Sequence, residues 1–160
     1  MRRLILAALI STAMAGQANA LSCLRPSVQR SFATASESDA QYVLAVGRIR
    51  LLPGEKVPST GSDPNARQGY SVKARFDGKL AAADGFTEDA AFPLTVQVEC
   101  AGAWCGGVPL DRVLAFIERR GEENVLVEGP CPAFALAARP ETIAAAEACL
   151  SGGDCTPPEG

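Results

Sequence analysis

The clearest signal in the chain is an alternation. Tyr70, Val72, Ala74 and Phe76 fall on one side of an extended segment while Ser71, Lys73 and Arg75 fall on the other. That period of two predicts a half-buried β-strand over residues 70–76. Asp77-Gly78 then reads as a turn, with a weaker strand over residues 79–83 returning from it. Residues 92–99 repeat the pattern, with Phe92, Leu94, Val96 and Val98 set against Thr95, Gln97 and Glu99. Residues 41–51 are rich in β-formers, and the alternation slips at Gly47, which predicts a bulge or a bend. Residues 112–117 are apolar on both faces and predict a central strand. The polar run Arg119-Arg120-Gly121-Glu122-Glu123 turns the chain into a partner strand over residues 124–128. Pro130-Cys131-Pro132 breaks any ladder there, because proline has no N–H to donate. Phe134 and Leu136 mark one last short strand.

A different period flanks these strands. Val28, Phe32 and Ala35 share one helical face, with Pro26 suited to a first turn, which predicts a short helix over residues 26–35. Residues 140–150 open on Pro140 and Glu141, continue as an alanine run and stop at Gly152-Gly153, the signature of a second helix. Residues 52–69, dense in Pro, Gly, Ser, Asp and Asn, predict a long exposed loop. Residues 157–160 predict a frayed tail. The order is helix, about five strands, helix. Amphipathic strands in a small chain must hide one face and remove their edges, and rolling up does both. The expectation is a mainly β fold, a small five-stranded OB-type barrel with an N-terminal and a C-terminal helix; a flat sandwich is the alternative.

The first twenty residues stand apart. Met1-Arg2-Arg3 supplies a positive start, residues 4–15 an apolar run too short to span a bilayer, and Ala18-Asn19-Ala20 a small-x-small cleavage pattern. The reading is a signal peptide over residues 1–20, a single domain over residues 21–156 and export to the periplasm or beyond. Arg2-Arg3 lacks the continuation of a twin-arginine signal, and no Leu stands three positions before Cys23 to favour lipidation. The leader holds two of the 15 basic residues and none of the 18 acidic ones, so the remainder carries a net charge of −5. An acidic chain with no basic run and 6% aromatic residues is poorly suited to nucleic acid or to anionic membranes. No membrane insertion is expected after leader removal.

All six cysteines, Cys23, Cys100, Cys105, Cys131, Cys149 and Cys155, lie beyond the leader, an even count that reads as a disulfide framework. Zinc sites draw on His or on paired C-x2-C hooks, and the chain has neither. Without His, a Ser-His-Asp triad or a Cys-His dyad is impossible. No C-x-x-C or phosphate-binding glycine loop is present. The carboxylates Asp84, Glu88, Asp89, Glu122 and Glu123 fall in apparent loops and read as solvated surface. The expectation is a protein without catalysis, cofactor or metal.

An ordered set of features then resembles the netrin-like domain, known from tissue inhibitors of metalloproteinases. A cysteine near the mature N-terminus precedes a short helix carrying Ser31-Phe32-Ala33, and the β segment Tyr42 to Gly47 follows. Cys105-Gly106 comes after the middle strands, then the aliphatic strand Val113-Leu114-Ala115-Phe116. Gly129-Pro130-Cys131 follows the hairpin, and a helix closes the domain. The resemblance spans nearly the whole mature chain and implies an OB-type barrel. In those inhibitors a cysteine at the N-terminus chelates the target's zinc; here Leu21 stands in that place, and Ala33 stands where the helix carries another cysteine.

The resemblance implies a protein partner, met at the barrel end near Cys23, Cys105 and Trp104. Ala103-Trp104 occupies the place of the inhibitors' contact ridge, and Leu21-Ser22 that of their N-terminus. Trp104 packed on a disulfide or capping the barrel is the other reading. Six cysteines allow fifteen pairings, and sequence does not choose among them. The glycine-containing segment 100–105 and the helix end 149–155 can each close on themselves, which favours Cys100–Cys105 and Cys149–Cys155. The family's pattern implies Cys23–Cys131, while Cys23–Cys105 with Cys100–Cys131 also fits it. The functional expectation is an exported, non-catalytic binding module, or alternatively an inhibitor of an exported protease.

Overall fold

The computed structural model describes residues 22–59 and 63–159; the leader and Leu21 lie outside the described residues. The fold is mainly β with two helices. Helix α1 (Val28–Ser36) starts where Ser27 accepts a hydrogen bond from the Arg30 N–H at 3.3 Å, giving one of the first turn's unpartnered N–H donors an acceptor. Strand β1 (Gln41–Leu51) follows. After the long connection, which holds a single 3-10 turn at Pro64–Ala66, come β2 (Tyr70–Ala82) and β3 (Gly85–Val98). A miniature hairpin, β4 (Cys100–Ala101) and β5 (Trp104–Cys105), leads to β6 (Arg112–Arg120), β7 (Glu123–Glu128) and β8 (Ala135–Ala137). Helix α2 (Pro140–Leu150) ends the succession.

Five strands close into a ring in the order β1-β2-β3-β7-β6, shut by the pairing of β1 with β6. Every contact around it is antiparallel except β3 with β7, which run parallel from Thr95 opposite Val125 to Val98 opposite Glu128. β8 shares the β7 side of β6, pairing Val113 to Ala115 with Ala137 to Ala135. The ring interior takes the alternate residues Ala45, Ile49, Val72, Ala74, Phe76, Leu94, Val96, Val98, Val113, Ala115, Ile117 and Leu126. A second apolar layer lies outside, where Val28, Phe32 and Ala35 of α1 and Ile143 and Ala146 of α2 cover Leu44, Val46, Leu114 and Phe116. This double cover explains why β6 reads as apolar on both faces. Ser31, 2% exposed, ties α1 to the chain before β8 by donating to the Ala133 carbonyl.

Two sequence expectations give way. Asp77-Gly78 is no turn: β2 runs through it to Ala82, the chain reverses at Ala83-Asp84, and β3 begins at Gly85. Nor does β1 bulge at Gly47, since its register with β2 is unbroken from Ala45 to Leu51; the irregularity falls at Leu80/Ala81. One tertiary cause accounts for both glycines. Gly47 and Gly78 sit opposite each other, and the fully buried ring of Phe76 lies against them. A Cβ on Gly47 would stand 2.5 Å from that ring and 2.4 Å from the Asp77 carbonyl, and one on Gly78 2.3 Å from the Val46 carbonyl. The glycines mark close approach rather than reversal. Residues 100–105, expected to close on themselves, fold back as the β4–β5 hairpin.

Candidate protein-binding edge

One end of the ring gathers most of the residues singled out from sequence. β3 and β7 finish side by side there, and the Glu99 N–H donates to the Glu128 carbonyl at 2.9 Å. The chain then folds through the β4–β5 hairpin, helped by Gly102 at φ 59° and closed by the Cys100–Cys105 disulfide, and the Gly106 N–H returns to the Glu99 carbonyl at 3.0 Å. Gly106 lies flat on β7: a Cβ there would sit 2.1 Å from the Glu128 carbonyl oxygen and 2.7 Å from that of Gly129. No larger residue fits. Two residues beyond Gly129, Cys131 holds Cys23 in a disulfide across a sequence separation of 108. The N-terminal segment and the Cys105-Gly106 segment are thereby anchored to the same short stretch of chain.

This end shows several large apolar side chains to water. Trp104 is 55% exposed at the hairpin, with Leu24 (62%), Leu110 (54%) and Val57 (42%) in the segments around it. Trp104 stacks on no other aromatic ring among the described residues. Ala103 is half-buried, and its carbonyl accepts a hydrogen bond from Arg67 Nη1 at 3.0 Å, which pins the long 52–69 connection to the hairpin. Between them runs a groove of about 570 Å³ lined by Val57, Pro58, Arg67, Tyr70, Cys105 and Gly106. Ser22 is exposed beside Cys23. The third disulfide, Cys149–Cys155, lies elsewhere and locks the end of α2, where the Gly153 N–H donates to the Ala148 carbonyl at 2.8 Å.

Sequence reading passed over Glu128. By alternation it shares the inward face of β7 with Leu126, at the same end of the ring, and it is 4% exposed. Its carboxyl receives the Ala135 backbone N–H, but Oε1 has no partner among the described residues. Burial with so little compensation pushes its pKa up to about 8. The alternation Asn124, Leu126, Glu128 was the available clue. The five carboxylates weighed for catalysis, Asp84, Glu88, Asp89, Glu122 and Glu123, are exposed. Arg119 and Arg120 are tied down, the first over the Phe92 ring at 5.5 Å and the second in two 2.7 Å hydrogen bonds to Glu118.

Three closed disulfides fit an oxidising compartment outside the cytoplasm. Among the described residues no helix is long and apolar enough to cross a membrane, and no group of three or more acidic or cysteine side chains is arranged to hold a metal ion. Comparison with protein-family models, with curated proteins and with solved structures finds no match to this chain.

Proposed function

We propose that this chain is an exported, non-catalytic netrin-like module that binds a protein partner in the periplasm through the edge formed by Ser22, Cys23, Ala103, Trp104 and Cys105. The carrying observation is the clamped apolar edge: two disulfides and the Gly106 contact fix the backbone while Trp104 and Leu24 stay more than half exposed. Rigid, exposed aromatic anchors are what protein hot spots are made of, and a pre-organised backbone spares the entropy of ordering it on binding. The OB-type reading draws support from the ring order, with its single parallel contact between β3 and β7. The netrin-like reading draws support from the joint anchoring of the Cys23 and Cys105-Gly106 segments.

That same adjacency favours a second reading, inhibition of an exported protease, because an N-terminal segment beside a projecting hairpin makes a wedge suited to a cleft. Leu21 in place of a chelating cysteine argues against inhibition by zinc capture. Purified oxidised protein added to exported proteases separates the two. Loss of protease activity supports inhibition; retention of a non-protease partner on immobilised protein, lost on Trp104→Ala, supports the module. Turnover of any substrate would overturn both.

A further inference from the structure

The ladder between β1 and β2 splits at the end of the ring where β1 begins, opposite the end where β3 and β7 finish. The two strands pair from Ala45 opposite Leu80 to Leu51 opposite Ala74, yet β1 starts at Gln41 and β2 runs on to Ala82. The irregularity at Leu80/Ala81 falls where β2 leaves β1. Gln41 to Leu44 therefore keep β6 on one side and have no strand on the other among the described residues. Alternate residues of an antiparallel strand turn their N–H and C=O groups to opposite sides, so half of those on Gln41 to Leu44 face the split. Exposed edges are ordinarily blunted by charge, proline or cover, and Gln41-Tyr42-Val43-Leu44 carries neither charge nor proline.

The split opens into a groove of about 540 Å³ with apolar walls: Phe32 and Ala35 of α1, Tyr42 and Leu44 of β1, Leu80 of β2 and Leu150 of α2. Phe32 meets Phe116 edge-on at 5.1 Å, and Leu150 is 41% exposed. The charged side chains of the lining and its rim are all carboxylates. Glu88 lines the groove, and Glu37 and Asp39 stand exposed between the lining residues Ser36 and Ala40. None of the three is in an ion pair among the described residues. Ser36 and Leu150 also end α1 and α2, with no basic residue in either last turn, so two helix C-termini add partial negative charge. No Lys or Arg lines the groove. The cations of the surrounding elements are engaged elsewhere: Arg30 donates to the Pro158 carbonyl, Lys79 holds Asp89 at 2.9 Å, Arg119 lies over Phe92, and Arg120 binds Glu118. Arg48 and Arg112 open on a separate cleft shared with Glu147.

We propose that this groove seats an extended, basic and apolar stretch of a partner polypeptide, separately from the Trp104 edge. Three features choose that occupant. The free edge of β1 offers hydrogen bonds that suit an extended backbone, the apolar walls take alternate side chains, and the unpaired carboxylates take Lys or Arg. A second copy of this chain would bring like carboxylates together, on a chain of net charge −5 beyond the leader. The test is fluorescence anisotropy of a labelled octapeptide alternating valine and lysine, titrated with oxidised protein at low salt. Glu88→Gln should weaken binding about twofold to fivefold, and Leu150→Ser about threefold; both side chains are exposed, so neither change threatens the fold. The same peptide N-methylated along its backbone, which removes its N–H donors, should bind about fivefold more weakly. Asp111→Asn, which removes the same charge just before β6, and Trp104→Ala should leave binding unchanged. No binding, binding indifferent to both groove substitutions, equal binding of the N-methylated peptide, or an equal loss on Asp111→Asn would overturn the proposal. Displacement of the peptide by an equal concentration of octylamine would hand the groove to a small amphipathic cation. Dimerisation of the free protein that the peptide blocks and Glu88→Gln strengthens would hand it to a second copy, and either result overturns the proposal too.

Discussion

Glu128→Gln isolates the one buried carboxyl among the described residues, left without full hydrogen bonding at the ring end. In the folded chain its pKa lies near 8, against 4.5 for a free glutamate, because burial disfavours the anion. A raised acid pKa means that the folded state holds a proton that the unfolded chain has released at pH values between those two figures. Stability is therefore full below about pH 4.5, falls as pH rises, and stops falling above about pH 8. One pH unit corresponds to about 1.4 kcal/mol, so the loss is of order 3 kcal/mol at neutrality and somewhat more at the upper end. Glutamine keeps the shape and cannot ionise. It adds an amide donor that finds no partner at Oε1, which costs about 1 kcal/mol at every pH. Urea denaturation with disulfides intact, at steps from pH 5 to pH 8.5, reads the difference. The unsubstituted protein should lose stability steadily across that range, the variant should be nearly flat, and the two curves should cross. The exposed carboxylates Asp89 and Asp154, held low by hydrogen bonds, lose those contributions only below the window. Parallel curves for the two proteins would refute the assignment of an inward, desolvated Glu128.

Other perturbations test the frame and the edge. Replacing Cys23 and Cys131 together by Ser should cost about 4 to 5 kcal/mol in chemical denaturation, since that bridge closes a loop of 108 residues, while replacing Cys100 and Cys105 should cost about 2 kcal/mol. Gly47→Ala should destabilise by about 2 to 4 kcal/mol, because the Phe76 ring and the Asp77 carbonyl leave no room for a methyl group; thermal melts check this, and an unchanged midpoint would contradict the packing described. Trp104→Ala should leave stability within about 0.5 kcal/mol, as its side chain is more than half exposed, yet abolish partner retention in a binding assay.

The legible parts of this fold are those where local pattern and tertiary demand agree. The alternation of Tyr70 to Phe76 and of Phe92 to Val98 follows the inward and outward faces of the ring, and the two-sided apolar run of β6 follows from the ring on one side and two helices on the other. Asp77-Gly78 misled because its glycine answers to a ring packed from its own strand and to the facing Gly47, a cause absent from any local window. The candidate edge was legible in its cysteines and in Trp104, which carry chemistry by residue type alone. Glu128 was not, since it looks like any strand-end glutamate.

Everything proposed for the edge depends on Cys23 being chained to the ring end in an exported protein. Peptide mass spectrometry of the protein taken from the cell envelope, digested without reduction, tests this in one measurement. The account predicts an N-terminus at Leu21 and a Cys23 peptide joined to the Cys131 peptide, beside closed Cys100–Cys105 and Cys149–Cys155 links. Free thiols, a retained leader, or Cys23 joined to Cys105 would contradict it.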